Sequence, residues 1–165
     1  MVMTNTADTA NLCGLRREDF QATIDGKATD LYILKNNEGN EVAITNYGGA
    51  IVAIMVPDKD GKYANVIQGH DNIKEVVESP EPYLSTLIGR YGNRICKGKF
   101  QLHGKEYSLP INNGPNCLHG GKKGFNAKVG CTSDERPHAG AQICQPLRRG
   151  RFFGRGESDC GLCFQ

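Results

Sequence analysis

The sequence predicts an all-β chain, an antiparallel sandwich or barrel. Three observations point there. Short runs rich in β-branched and aromatic residues recur between turn signals, from Ala28 to Gln68 and again from Lys99 to Leu109. Glycine is abundant, at 21 of 165 residues, as a fold with many turns requires. Only Asp71 to Ser79 carries the cap and breakers of a helix, so no strand–helix alternation builds a parallel sheet.

Taken in order, residues 1–14 are polar and read as a flexible N-terminus. Asp25-Gly26-Lys27 is a turn, Ala28 to Lys35 a strand, and Asn36 to Asn40 the loop of a hairpin. Glu41 to Asn46 is the return strand, with Val42 and Ile44 on one face. Ala50 to Val56 follows a Gly-Gly pair and stops at Pro57; an apolar run of this length fits a strand buried on both faces. After the turn Asp58 to Gly61 comes a strand from Tyr63 to Gln68, then the helix, capped by Asp71 or Asn72 and ended by Pro80 and Pro82.

The segment Lys99 to Leu109 reads as a hairpin. With His103-Gly104 as a two-residue loop, Leu102 faces Lys105, Gln101 faces Glu106 and Phe100 faces Tyr107. Phe100, Leu102, Tyr107 and Leu109 then share a buried face, and the aromatic pair contributes roughly 0.2–1 kcal/mol. His103 is a turn residue in this reading, since a type I′ turn needs positive φ, which His tolerates better than most.

Composition excludes several partner classes. A net charge of +2 is too small an electrostatic footprint for nucleic acid or an anionic membrane. The N-terminus lacks an apolar core of signal-peptide length and no stretch approaches a membrane span, so a cytoplasmic location is expected. Seven cysteines, an odd and scattered set, read as reduced thiols.

The hairpin's flanks carry the chemistry. Gly89 to Arg94 and Ile111 to Gly121 leave it on the same side, so they can converge. Arg94 offers a planar fork of donors, Asn93 and Asn116 both donors and acceptors, and His119 either function near neutral pH. Hydroxyl-rich sugars suit such a set. From composition alone the plainer reading is a surface ion pair for Arg94 and turn packing for His119.

The string GRYGNRICKGKFQLHGKEYSLPINNGPNCLHGGKKGF resembles the N-terminal part of the aldose 1-epimerases, or galactose mutarotases. In that family an NRI segment, a hairpin and an N-x-x-N-x-LHGG-x-x-GF segment follow one another at this spacing. GLRREDF, TNYGGAIVAIMVPDKDGK and NVIQGHDNI resemble its opening strands, so the likeness covers about residues 15–129. It implies an antiparallel β-sandwich of galactose-mutarotase type, here incomplete, that interconverts the α and β anomers of hexoses such as galactose or glucose. It implies no metal and no organic cofactor. A glutamate base acts on the anomeric hydroxyl and a histidine acid on the ring oxygen. The family's substrate-binding residues map onto Asn93, Arg94 and His119.

The same resemblance places the acid histidine, a substrate-binding aspartate and the base glutamate downstream of LHGG, beyond Gln165. No catalytic residue is therefore expected within this chain, and His138, 19 residues after His119, stands in no motif of the family. The expected product is inactive alone, or a non-catalytic carbohydrate-binding fragment, with unpartnered sheet edges that favour aggregation.

Past Val129 the text changes character. Residues 130–165 hold six Gly, five Arg and four Cys without strand alternation, as translation in another frame from about codon 129–130 would produce. This tail reads as disordered. Cys160-Gly-Leu-Cys163 is half of a zinc knuckle, without a second close pair in Cys131, His138 and Cys144. The Arg148-to-Gly156 stretch resembles an RGG segment, but a tail net charge of +1 is thin for RNA.

Overall fold

Pairing is antiparallel wherever strands meet. The computed structural model describes residues 11–132 and 141–142. A 3-10 turn over Arg17–Phe20 leads into the small hairpin of β1 (Thr23–Ile24) and β2 (Lys27–Ala28), which turns at Asp25-Gly26 as expected. The main sheet follows in sequence order: β3 (Leu31–Lys35), β4 (Glu41–Thr45), β5 (Ile51–Pro57) and β6 (Tyr63–Asn65). Its last strand is shorter than the expected Tyr63 to Gln68, because Asn65 turns its side chain back to the backbone N–H groups of Ile54 and Ile67.

The short helix α1 (Ile73–Glu78) lies where its signals predict. Asn72 is the N-cap, its side chain accepting from the Glu75 N–H at 3.0 Å, while the Glu75 carboxylate accepts from the Asp71 N–H at 3.1 Å. No helix among the described residues is long and apolar enough to cross a membrane.

One face of the main sheet packs the core. Phe20, Leu31, Ile33, Ala43, Val52 and Ala53 bury against Ile73 and Val76 of α1 and against Val129. The alternation of β4 resolves in favour of its less apolar side: Glu41, Ala43 and Thr45 are buried, whereas Val42 and Ile44 are half-buried. Two interactions make this possible. Glu41, 2% exposed, pairs with Lys35 Nζ at 2.6 Å and accepts from the Leu12 N–H at 2.8 Å, so the buried carboxylate is neutralised and bonded. A bulge opposite Ala43 and Ile44 leaves Val52 as the extra residue of β5, and Val52 and Ala53 are both buried. The opposite face, where Leu34, Val42 and Ile54 are in register, is only half covered.

The second half of the described chain is built from short ladders. β7 (Arg94–Ile95) is followed by the hairpin of β8 (Lys99–Leu102) and β9 (Lys105–Ser108), then β10 (Cys117–Leu118), which returns to pair with β7. The hairpin has the predicted register, with Phe100 stacked on Tyr107 at 5.1 Å between ring centroids. His103 takes φ 49° in its turn. The face expected to be buried is half-buried instead, since this hairpin forms its own two-stranded sheet without a covering layer among the described residues.

Tyr47 bridges Val129, and the Gly48 N–H donates to the Lys128 carbonyl at 2.7 Å, tying this second half to the main sheet. Beyond it, β11 (Cys131–Thr132) pairs with β12 (Ala141–Gln142). The other tail features, His138, Cys144, Cys160, Cys163 and the Arg148-to-Gly156 stretch, lie outside the described residues, as do residues 1–10.

Candidate functional site

Pairing of β7 with β10 puts Arg94 opposite Leu118 and so brings Asn93, Arg94 and His119 together. The hairpin between them doubles the chain back, which is why residues 25 positions apart in the sequence become neighbours. Asn93 and His119 are bonded twice. The Asn93 N–H donates to His119 Nδ1 at 2.9 Å, and the His119 N–H donates to the Asn93 carbonyl at 3.1 Å. An Nδ1 that accepts leaves the proton of a neutral imidazole on Nε2. Nε2 makes no hydrogen bond among the described residues and is left as a donor for an incoming oxygen.

Arg94 is exposed, and its guanidinium is aimed by two amides. Nε donates to Asn113 Oδ1 at 3.0 Å and Nη1 to Asn93 Oδ1 at 3.3 Å. Nη2 has no partner among the described residues, so one edge of the fork is open. Asn93 Oδ1 also accepts from the Arg94 N–H at 2.9 Å.

Asn116 behaves differently from its expected role as a ligand-facing amide. Its Oδ1 accepts from the Lys97 N–H at 3.2 Å, and its backbone bridges Asn113. It braces the loop. The sequence reading passed over Tyr83, Asn112 and Asn113. Asn113 orients Arg94. Tyr83 stands edge-on to His119, ring centroids 4.7 Å apart. Asn113 was visible as the first Asn of the N-x-x-N spacing, with Asn112 just ahead of it, whereas Tyr83 lies outside the motif and only folding brings it near.

Close backbone approach seats the site on the fold. Gly120 has φ 91°, and a Cβ there would collide with the Gly89 carbonyl oxygen, which also accepts from the Phe125 N–H at 3.2 Å. Cys117 is buried beneath the loop and its burial pushes the thiol pKa up, so it stays a protonated, unreactive packing residue. Among the described residues no group of three or more His, Cys, Asp or Glu could hold a metal ion. The cluster's chemistry is therefore that of neutral amides, one guanidinium and one imidazole. It suits hydroxyl recognition.

The aldose 1-epimerase family profile matches residues 30–134, which spans the main sheet and the whole cluster. The chain belongs to the aldose 1-epimerase family. Among curated relatives, the galactose mutarotase of Bos taurus is 47% identical over 85 residues, 52% of this chain and 25% of that protein. The galactose mutarotase of Rattus norvegicus is 41% identical over 101 residues, 61% of this chain and 29% of that protein. A solved aldose epimerase homologue from C. elegans superposes with a TM-score of 0.64 at 26% identity, over 70% of this chain and 36% of that one. The fold is of galactose-mutarotase type. The chain spans between a quarter and a third of the length of these curated relatives.

Proposed function

We propose that the cluster around Arg94 and His119 binds a free hexose, galactose or glucose, as the substrate-gripping half of an aldose 1-epimerase site. What supports this reading is the pair of open donors, Arg94 Nη2 and His119 Nε2, held by the β7–β10 ladder and the Asn93 bridge. Anomerisation removes the proton of the anomeric hydroxyl and delivers one to the ring oxygen. The C1–O5 bond opens to the aldehyde, the carbonyl carbon rotates, and the ring closes on its other face. Arg94 and His119 would orient the sugar and polarise its oxygens through that sequence.

The described groups bonded together in the cluster are Asn93, Arg94, Asn112, Asn113, Asn116, Tyr83 and His119, with no carboxylate among them. A base must come from elsewhere. This favours the second reading for the chain by itself, a carbohydrate-binding unit that does not convert its ligand.

Titration with galactose, followed by NMR, and polarimetry of freshly dissolved α-galactose test both statements. Saturable binding that weakens roughly tenfold or more in Arg94→Ala, with mutarotation at the buffer rate, is expected. Absence of saturable binding overturns the grip. A rate above buffer overturns the non-catalytic reading, since the chain would then supply its own acid and base.

A further inference from the structure

Asn112 makes three side-chain hydrogen bonds, and none is to a group that would meet a sugar. Its Oδ1 accepts from the Leu118 N–H at 2.7 Å, and its Nδ2 donates to the Leu118 carbonyl at 2.9 Å and to the Tyr83 hydroxyl at 3.3 Å. The two amide hydrogens are thus both used. Leu118 immediately precedes His119, and Tyr83 is the ring set edge-on against the His119 imidazole, at an interplanar angle of 63°. One side chain therefore holds the backbone on one side of the histidine and the aromatic wall on another.

His119 needs such a hold. Its φ of 52° is in the left-handed region, which His tolerates better than most residues but still at a cost that its surroundings must offset. The reciprocal bonds to Asn93 supply one constraint, and they close only if the chain arrives from Leu118 in the right direction.

We propose that Asn112 is the positioning residue of His119, acting through Leu118 and Tyr83 to keep the imidazole on the Asn93 N–H with its proton on Nε2. The consequence for sugar recognition rests on the hexose-binding reading above; the placement of the imidazole does not. Asn113, its neighbour in sequence, serves Arg94 instead and provides an internal control.

Nitrogen-15 NMR of the His119 ring, recorded without ligand in the intact 165-residue chain, reads the tautomer directly. The expected result is one dominant Nε2–H tautomer in the natural protein and in Asn113→Ala, and a mixture of both tautomers in Asn112→Ala and Asn112→Asp. Galactose affinity should fall roughly tenfold in the two Asn112 variants. Asn112→Asp keeps the shape and the acceptor for Leu118, so it decides the matter if Asn112→Ala does not fold. A His119 tautomer unchanged in a folded Asn112 variant overturns the proposal, as does a mixture in the natural protein; a clamp that only stabilised the loop would lower the melting temperature and leave the tautomer alone. Should the natural protein bind no hexose, the ring measurement still stands and only the affinity arm falls.

Discussion

Asn93 and His119 hold each other through reciprocal hydrogen bonds, backbone N–H to Nδ1 at 2.9 Å one way and backbone N–H to carbonyl at 3.1 Å the other. Both residues have positive φ, 66° and 52°. Each thereby braces the other's conformation at the end of the β7–β10 ladder, where Arg94 faces Leu118.

Removing the imidazole should free the Asn93 amide. In His119→Ala that N–H loses its acceptor while the backbone bond can persist, so its hydrogen exchange should quicken roughly tenfold. Amides of β3 and β4 should keep their protection. An unchanged Asn93 rate would mean that the imidazole bond does not persist in solution.

Gly120→Ala should damage the site more than its size suggests. The added methyl meets the Gly89 carbonyl and adopts a left-handed φ of 91°, so a loss on the order of 2 kcal/mol or more is expected. Urea unfolding measures it. Gly26→Ala, at φ 74° with nothing near its Cβ position, isolates the backbone cost and should lose less.

Acid should weaken the junction between the 3-10 turn and β3. Burial raises the Asp30 pKa, but the Arg17 guanidinium and the Leu31 N–H outweigh it and hold the carboxyl below its ordinary range. Arg17 Nε donates to Asp30 Oδ1 at 2.7 Å, and Nη2 pairs with Oδ2. A carboxyl whose pKa is lowered on folding stabilises the fold above its unfolded pKa of about 3.9, and that stabilisation fades as pH falls through the folded value. Asp30→Asn should cost about 1.5 kcal/mol at neutral pH and flatten the acid limb of the stability profile. An acid limb of unchanged slope would remove Asp30 as its source.

The hairpin and the helix cap were legible because both are decided by neighbours in sequence. His103-Gly104 sets the register of β8 and β9, and Asn72 with Glu75 caps α1 without help from elsewhere. The convergence of Arg94 and His119 was legible for the same reason, since a hairpin must return its flanks to one side. The buried face of β4 was not. Its apolar alternation favoured Val42 and Ile44, yet the core formed on the Glu41 side, where Lys35 and the Leu12 N–H neutralise the carboxylate. Residues that decide a face by pairing across strands leave no periodic signal in either strand.

By itself the sequence determined an antiparallel β chain, its family, and the convergence of the segments that carry Asn93, Arg94 and His119. Those follow from turn chemistry, the period of two, and an ordered motif, all of which are local. Only the tertiary structure decided which nitrogen of His119 carries the proton, that Asn113 rather than Asn116 aims Arg94, and that Tyr83 and Asn112 stand behind the histidine. These depend on contacts between segments as far apart as Tyr83 and His119, and a hydrogen bond's direction is set by where its partner arrives.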